Sequence, residues 1–490
     1  MKNFTLALVS SAISAFLLTL ASPGYNLWPL AYFALVPMLV SIPVTEKKFL
    51  TGWLFGTIYY AVNLRWVINA VSDFGNSPFI VGLLVTIGFA MILALFWGVF
   101  TYLYLSKRGS LLLMAGVAVT LEVIKSSIFS GFPMLNLAHT QYSFIPAIQI
   151  AEVTGEYGVS LIIAYSNLAA ASLITDKNRH SVVLAAILAA ASFIYGFSVS
   201  GRDYAGNDMR AHIIQPAYSQ ADKWIPDKKY DIMALVNGML RMTDPEKYDL
   251  VLLPETVYPA FLNESFAGFQ MLDLFAEKVP VLAGGIRFTE NEGKKTYYNS
   301  VFLFDKGRVS VYDKLHLVPF GEYFPLKTLF KPIDYYFFKG AEDFTPGREA
   351  TVFVRDKFSA APMVCYESMY SSLVRTQVMM GADVITVVTN DSWFGNTMGP
   401  YQHLATDVMR AVEFRKPVLR AAQSGISACI TPDGKIQGSI PMGKKDSLDC
   451  TVRPHKGMTV FAAGGYGWLA VYLFAAWFFT RRKNRNTNSY

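Results

Sequence analysis

The stretch Ala361-Pro362-Met363-Val364-Cys365-Tyr366-Glu367 is an apolar run that stops at a thiol followed by two polar side chains. Its first five residues read as a short buried strand, Ala361–Cys365, too brief for a helix. An amphipathic helical stretch, Tyr370–Met380, comes next, and then a β-branched run, Val384–Thr389. Apolar strands separated by helices imply a layered α/β fold whose sheet faces are covered.

The same alternation extends in both directions. Upstream, strands are expected at Arg210–Gln215, Leu250–Pro254, Val281–Gly284, Ser300–Phe304 and Val309–Tyr312; downstream, at Pro417–Ala421, Ser427–Thr431 and Leu448–Val452. Helices are expected at Lys229–Met242, Phe266–Lys278 and His403–Arg415. Asp305-Lys306-Gly307-Arg308 joins two of the strands as a tight connection, so part of the sheet is antiparallel and the sheet is mixed. This domain runs from residue 208 to 455.

The flanks are of another character. The 490-residue chain is 53% hydrophobic and only 16% charged, with a mean hydropathy of +0.32. A soluble domain has about 25% charged residues, so much of this chain belongs in lipid. Apolar runs of spanning length fall at 4–22, 26–43, 49–71, 78–105, 110–128, 159–175 and 181–199, with an eighth at 458–480. A signal peptide is the alternative reading of the first run. Lys47 and Lys48, Lys107 and Arg108, Lys177 and Arg179, and Arg481, Arg482, Lys483 and Arg485 follow every second run, whereas Ser22–Tyr25 and Ser72–Ser77 carry no Lys or Arg. Basic loops stay in the cytoplasm. Residues 1–207 therefore read as seven transmembrane helices, residues 456–490 as an eighth with a basic tail, both termini as cytoplasmic, and the α/β domain as external. The net charge of +7 reports this orientation and not nucleic-acid binding, since no basic stripe with interleaved aromatics occurs.

Arg65, Glu122 and Lys125 fall within these runs, as a functional set, a buried pair or, for Arg65, a snorkelling side chain. Ser130–Ser160 is too broken for one helix and reads as a re-entrant or interfacial segment or as a plain loop.

Three side chains fall at strand ends, where α/β folds place their chemistry. Glu255 follows Val251-Leu252-Leu253-Pro254, Lys314 follows Val309–Tyr312, and Cys365 ends its own strand. Alone, each is ordinary: a capped turn, a surface charge, a small hydrophobe. Together they supply a base, a fixed cation and a nucleophile. A thiol with a pKa near 8.5 needs its proton removed at neutral pH; Glu255 serves once burial raises its own pKa, and Lys314 stabilises thiolate and oxyanion with the Tyr366 backbone N–H. The other cysteines, Cys429 and Cys450, form no framework with Cys365; a bridge between them is disfavoured, and no Cys/His spacing suggests a metal. No cofactor is expected.

In context, four motifs occur in order: Leu253-Pro254-Glu255-Thr256, then Tyr312-Asp313-Lys314-Leu315-His316-Leu317-Val318-Pro319-Phe320-Gly321-Glu322-Tyr323, then Val364-Cys365-Tyr366-Glu367, then Thr389-Asn390-Asp391-Ser392-Trp393-Phe394. With them the external domain resembles the nitrilase, or carbon–nitrogen hydrolase, superfamily. The surrounding spans make the whole chain similar to its membrane branch, the apolipoprotein N-acyltransferases of the bacterial inner membrane. The resemblance implies an αββα sandwich outside the membrane, on the periplasmic side, and a catalytic Glu255–Lys314–Cys365 triad. It implies supporting roles for Glu322, Tyr366 and Glu367, and places Trp224 near the substrate entrance, although Pro216-Ala217-Tyr218-Ser219 departs from the usual pattern there. The aromatic stretch Pro325–Phe338, with Phe330, Tyr335, Tyr336, Phe337 and Phe338, and Trp393-Phe394 are read as an acyl entrance or as interfacial packing.

The implied reaction takes an acyl chain from a phospholipid such as phosphatidylethanolamine to the N-terminal amine of a diacylated apolipoprotein, through a thioester on Cys365, in a monomer embedded in the bilayer. A membrane-tethered amidase with the same triad is the alternative enzyme. A transporter or receptor with a ligand-binding outer domain is the alternative outside enzymes, disfavoured because the spans show no repeated halves.

Overall fold

The computed structural model of the chain describes residues 2–75, 77–104, 111–204, 206–223, 225–264, 267–325 and 343–487. Trp224 and the aromatic residues Phe330, Tyr335, Tyr336, Phe337 and Phe338 lie outside them. The chain divides into two compact units, one of Met1–Val71, Pro78–Arg202 and Thr459–Tyr490, the other centred on Asp203–Met458.

The first unit is helical. Among the described residues, four helices are long and apolar enough to cross a membrane: Phe4–Ala21, Phe79–Leu103, Glu156–Asp176 and Arg179–Val199. The second apolar run is not one helix. Pro29, Pro37 and Pro43, which lack a backbone donor, divide it into 3-10 turns at Trp28–Tyr32 and Ile42–Val44 around a short helix, Val36–Ser41. The third run is helical from Lys48 to Asn63, breaks at Leu64 and exposed Arg65, and resumes at Trp66–Asn69 before a π-turn, Ala70–Phe74. Helix Lys48–Asn63 lies close against Phe79–Leu103: a Cβ on Gly56 would stand 2.9 Å from the Ala94 Cα, so only small residues fit there.

Glu122 and Lys125 are buried in helix Leu111–Lys125 and satisfy the irregular segment that follows. Lys125 Nζ donates to the Met134 carbonyl at 2.6 Å, and Glu122 Oε1 accepts the Leu137 N–H at 2.7 Å. Glu156 accepts from Asn136 at 2.9 Å and faces His139 Nε2 at 3.0 Å. Residues 130–160 are thus neither plain loop nor one helix; they hold a 3-10 turn at Leu137–Gln141 and helical turns at Ile145–Ile148 and Ala151–Thr154.

The second unit contains two six-stranded sheets. Its strands are β1 (Met209–Gln215), β2 (Leu250–Leu253), β3 (Val281–Asn291), β4 (Lys294–Asp305), β5 (Arg308–Asp313) and β6 (Phe353–Val354), then β7 (Ser359–Val364), β8 (Val384–Thr389), β9 (Val418–Ala422), β10 (Ser427–Ile430), β11 (Ile436–Ile440) and β12 (Asp446–Val452). One sheet has the order β12-β1-β2-β3-β4-β5, the other β11-β10-β9-β8-β7-β6. Each has three parallel strands at its centre, β1-β2-β3 and β7-β8-β9, flanked by antiparallel neighbours.

Side-chain alternation builds the layers. Leu250, Leu252, Val301 and Leu303 point between the sheets to meet Ala360, Val364, Val384, Val388 and Leu419. Their neighbours Val251, Leu253, Phe302 and Phe304 point outward and pack on Ile232, Val236 and Leu240 of helix Lys229–Met242 and on Leu272 and Ala276 of helix Ala267–Ala276. Helices Ser371–Met379 and Gly399–Phe414 pack against β7 and β9 of the other sheet. The result is an αββα sandwich. Each core strand is buried on both faces, which is why it reads as a continuous apolar run. Cys429 and Cys450 are free thiols, both buried between the sheets.

Candidate active site

The three strand-end residues converge at one end of the sandwich. Glu255 is two residues beyond β2, Lys314 is next after β5, and Cys365 is next after β7. Cys365 lies outside its strand because its φ of +50° breaks the extended backbone and opens a 3-10 turn, Cys365–Met369. A non-glycine residue in that region costs about 1–3 kcal/mol, and such strain gathers at functional sites. Thr256 (φ +44°), beside Glu255, and Phe320 (φ +60°), between Lys314 and Glu322, share it. Gly284 on β3 gives the Glu255 loop its room: a Cβ there would stand 2.5 Å from the Glu255 Cα and 2.8 Å from the Pro254 carbonyl oxygen.

A hydrogen-bonded chain links the acidic and basic groups. Asn299 on β4 donates through Nδ2 to Glu255 Oε1 and to Glu322 Oε1, both at 2.7 Å, and its carbonyl accepts the Lys314 N–H at 2.9 Å. Lys314 Nζ reaches both oxygens of Glu322, at 2.9 and 2.8 Å. Glu322 also accepts the Val318 N–H at 2.8 Å, and Glu255 Oε2 accepts the Asn390 N–H at 2.8 Å from the loop after β8. Lys314 is 1% exposed and Glu255 7%.

These surroundings set the charges. Burial raises the Glu255 pKa above the ordinary carboxylate value; Lys314 opposes that, and Glu322 adds to it. For Lys314 burial acts downward, but Glu322 and Glu255 outweigh it and hold the ammonium more firmly protonated than usual. Burial pushes the half-buried Cys365 thiol up, and Glu255 pushes it further, against the pull of Lys314. The resting Cys365 side chain is therefore a neutral thiol, with a carboxylate and an ammonium in electrostatic range.

Among the other expected residues, Glu367 is fully buried and does not face solvent. Oε1 accepts from Tyr312 Oη at 2.8 Å and from the N–H groups of Leu315 at 2.6 Å and His316 at 3.1 Å; Oε2 accepts the Val364 N–H at 2.9 Å. It ties the Lys314 loop to the Cys365 turn. The Tyr366 ring is half-buried against His316 and Tyr370, at centroid distances of 5.8 and 5.0 Å. Trp393 is 40% exposed on the turn Asp391–Phe394, whereas Phe394 is buried edge-on to His403.

Three neighbours had no signal in the linear pattern, and a fourth, Thr389, entered only as the first residue of the motif Thr389–Phe394. Asn299 stands just before the expected apolar run Ser300–Phe304, and Thr389 closes the β-branched run Val384–Thr389. Lys223, 1% exposed, donates to Thr256 Oγ1, and burial lowers its pKa to about 7 while Glu255 draws it back up. His403 reads as the first residue of a helix, yet that helix begins at Gly399 with Pro400 in its first turn, which carries His403 inside. Cys365, Asp391 and His403 offer atoms within 4.8 Å of one another that would suit a metal ion. Arg420 and Thr389 already hold the two Asp391 oxygens, and with His403 they form a hydrogen-bonded network there.

Comparison with known proteins follows this division of the chain. Residues 14–169 match the apolipoprotein N-acyltransferase N-terminal domain, and residues 213–454 match carbon-nitrogen hydrolase. The chain is 31% identical over 482 residues to an apolipoprotein N-acyltransferase of Geobacter metallireducens, covering 94% of this chain and 92% of that one. It is 30% identical over 481 residues to the enzyme of that name from Coxiella burnetii, covering 95% and 96%. Among solved structures, Saccharomyces cerevisiae Nit3, a member of branch 10 of the nitrilase superfamily, is 17% identical, covers 51% of this chain and 92% of its own, and has a TM-score of 0.40. With long apolar helices in one unit, a match to carbon-nitrogen hydrolase in the other, and 31% identity over 94% of its length with the Geobacter metallireducens protein, the chain belongs to the apolipoprotein N-acyltransferase family.

Proposed function

We propose that the protein transfers an acyl chain from a membrane phospholipid to the α-amino group of the diacylglyceryl-modified N-terminal cysteine of apolipoproteins. One observation carries this reading to atoms: the buried chain Lys314–Glu322–Asn299–Glu255 stands within electrostatic range of the Cys365 thiol.

Glu255 takes the Cys365 proton as Sγ attacks the ester carbonyl. The oxyanion so formed is held by the Lys314 ammonium and the Tyr366 N–H. Collapse breaks the ester C–O bond; the lysophospholipid oxygen leaves with the proton from Glu255, and a thioester remains on Cys365. The lipoprotein amine then attacks the thioester carbonyl and gives its proton to Glu255. The second tetrahedral intermediate expels the Cys365 sulfur, which recovers that proton and restores the thiol. Preformed charge of this kind needs no reorganisation when the oxyanion appears.

Lifting an acyl chain into water costs about 0.8 kcal/mol per CH₂, so the reaction belongs at a bilayer surface. We place residues 1–207 as seven spans and residues 456–490 as an eighth with a cytoplasmic tail, in the bacterial inner membrane. Residues 208–455 are then periplasmic, and the protein acts as a monomer with phosphatidylethanolamine as donor. Alternating basic and uncharged loops support the orientation. Trp224 and Trp393 are assigned to the substrate approach.

The test is intact-mass analysis after incubation with phosphatidylethanolamine in detergent. A hydroxylamine-labile acyl mass on Cys365, absent in Cys365→Ser, is expected. An unmodified wild type that instead releases ammonia from small amides overturns the reading.

A further inference from the structure

Beneath the nucleophile lies a chain of buried polar side chains that the reaction above does not use. His403 Nε2 is 3.2 Å from the Cys365 carbonyl oxygen and 3.2 Å from Ser368 Oγ, which itself donates to that carbonyl at 3.2 Å. The other ring nitrogen, Nδ1, is 3.0 Å from Asp391 Oδ1 and 3.0 Å from Arg420 Nη2. Arg420 donates from Nη2 to Asp391 Oδ2 at 2.6 Å, from Nη1 to Asp407, and from Nε to the Ile426 carbonyl at 3.0 Å. His403, Asp407 and Arg420 are fully buried, and Asp391 is 2% exposed. The chain above them is equally tight: a Cβ on Gly425 would stand 2.4 Å from Asp391 Oδ2.

Buried ion pairs are often no better for stability than apolar residues of the same volume, so this network calls for an explanation beyond packing. Its free end supplies one. The network terminates on the carbonyl of the single residue whose backbone must stay left-handed for its sulfur to leave the strand line. A carbonyl only accepts, so the contact at Nε2 is an N–H donated to it. With Ser368 it gives the Cys365 carbonyl two donors, and those donors oppose relaxation of the turn back to extended backbone.

We propose that His403 is a positioning residue for the Cys365 nucleophile, clamped in turn by Asp391 and Arg420. It fixes the Cys365 carbonyl and so the direction in which Sγ faces Glu255 and Lys314. The inference rests on Cys365 being the nucleophile.

The experiment compares His403→Ala and His403→Gln in the full-length protein in detergent, with Cys365→Ser as control. Three quantities are read: the single-turnover rate of acyl transfer to Cys365 from phosphatidylethanolamine, the donor concentration at half-saturation, and the alkylation rate of Cys365 by iodoacetamide. A glutamine Nε2 reaches about as far as the imidazole Nε2 and still donates. Misplacing a reacting group by about 1 Å costs roughly 10²-fold in rate, so His403→Ala is expected to lose about that factor in acylation, with donor half-saturation unchanged and alkylation slowed. His403→Gln is expected to recover most of both rates. Equal rates in wild type and a folded His403→Ala overturn the inference. So does a loss that glutamine fails to rescue and that follows thermal midpoint alone. Asp391→Asn, which keeps the shape and weakens the clamp, decides the matter should His403→Ala not fold: acylation near wild type counts against the role, slowed acylation with unchanged half-saturation supports it. A wild type that takes no acyl group on Cys365 refutes the nucleophile itself, a result distinct from all of these.

Discussion

Glu255 Oε2 accepts the backbone N–H of Asn390 at 2.8 Å, joining residues 135 apart in the chain. Glu255 follows β2 of one sheet and Asn390 follows β8 of the other, so this carboxylate is held across the sandwich. Its second oxygen is held by Asn299. A carboxylate with a donor on each oxygen keeps one orientation without help from substrate.

Glu255→Gln tests that arrangement. Both existing partners are donors, so the new amide NH₂ must face one of them. Loss of the base is expected to slow thioester formation by about 10²–10⁴-fold, read as the burst of acylated Cys365 in rapid-quench mass analysis. A burst within a few-fold of wild type would assign the proton to another group.

The acid limb of the pH–rate profile should lie above the ordinary carboxylate range, since burial raises the Glu255 pKa and the base must be ionised to act. Lys223 pulls that pKa down. Lys223→Met therefore shifts the acid limb to higher pH and lowers the rate at a fixed, slightly acidic pH. A limb that stays put or moves to lower pH would separate Lys223 from the base.

Glu322→Gln removes the carboxylate that meets Lys314 Nζ with both oxygens. Breaking a buried pair from one side costs about 3–5 kcal/mol, and the Lys314 pKa should fall because its largest charge partner is gone. A clear drop in thermal midpoint is expected, together with slower acylation. A midpoint equal to wild type would mean that Glu255 alone suffices for the ammonium.

Gly284→Ala places a methyl against the Glu255 backbone. Neither neighbouring atom is the tip of a flexible side chain, so the base loop must shift. Acylation should fall by about 10²-fold, the cost of an ångström-scale misplacement, while the donor concentration at half-saturation is unchanged. Wild-type rates would show that the loop absorbs the methyl elsewhere.

The sequence carried much of this fold because the central strands are buried on both faces. Val384–Thr389 and Lys229–Met242 appear with the bounds expected of them, one as an apolar run and the other by its helical period. Two strands left no such mark: β6 is two residues long, and the edge strand β11 buries fully only Ile440. Strand ends exposed Glu255, Lys314 and Cys365 to linear reading, since a charged or thiol residue stands out after an apolar run. Asn299, Lys223 and His403 stayed hidden because each is an ordinary residue locally and acquires its partners only when distant segments meet. In the helical unit, hydropathy marked apolar stretches but not where proline would interrupt them, as at 26–43.

The pairing of β1 with β12 bears on how the domain comes to exist. Met209 lies opposite Val452 and Gln215 opposite Asp446, so the first strand made by the ribosome finds one of its two neighbours only in the last. Contacts so distant along the chain slow folding, because a long loop must close before they form. Until Val452 has been delivered, β1 presents an unsatisfied edge, which is a site for mispairing. The nascent domain thus passes through a stage in which one sheet can close and the other waits, and a chain truncated before Asp446 would remain in that stage.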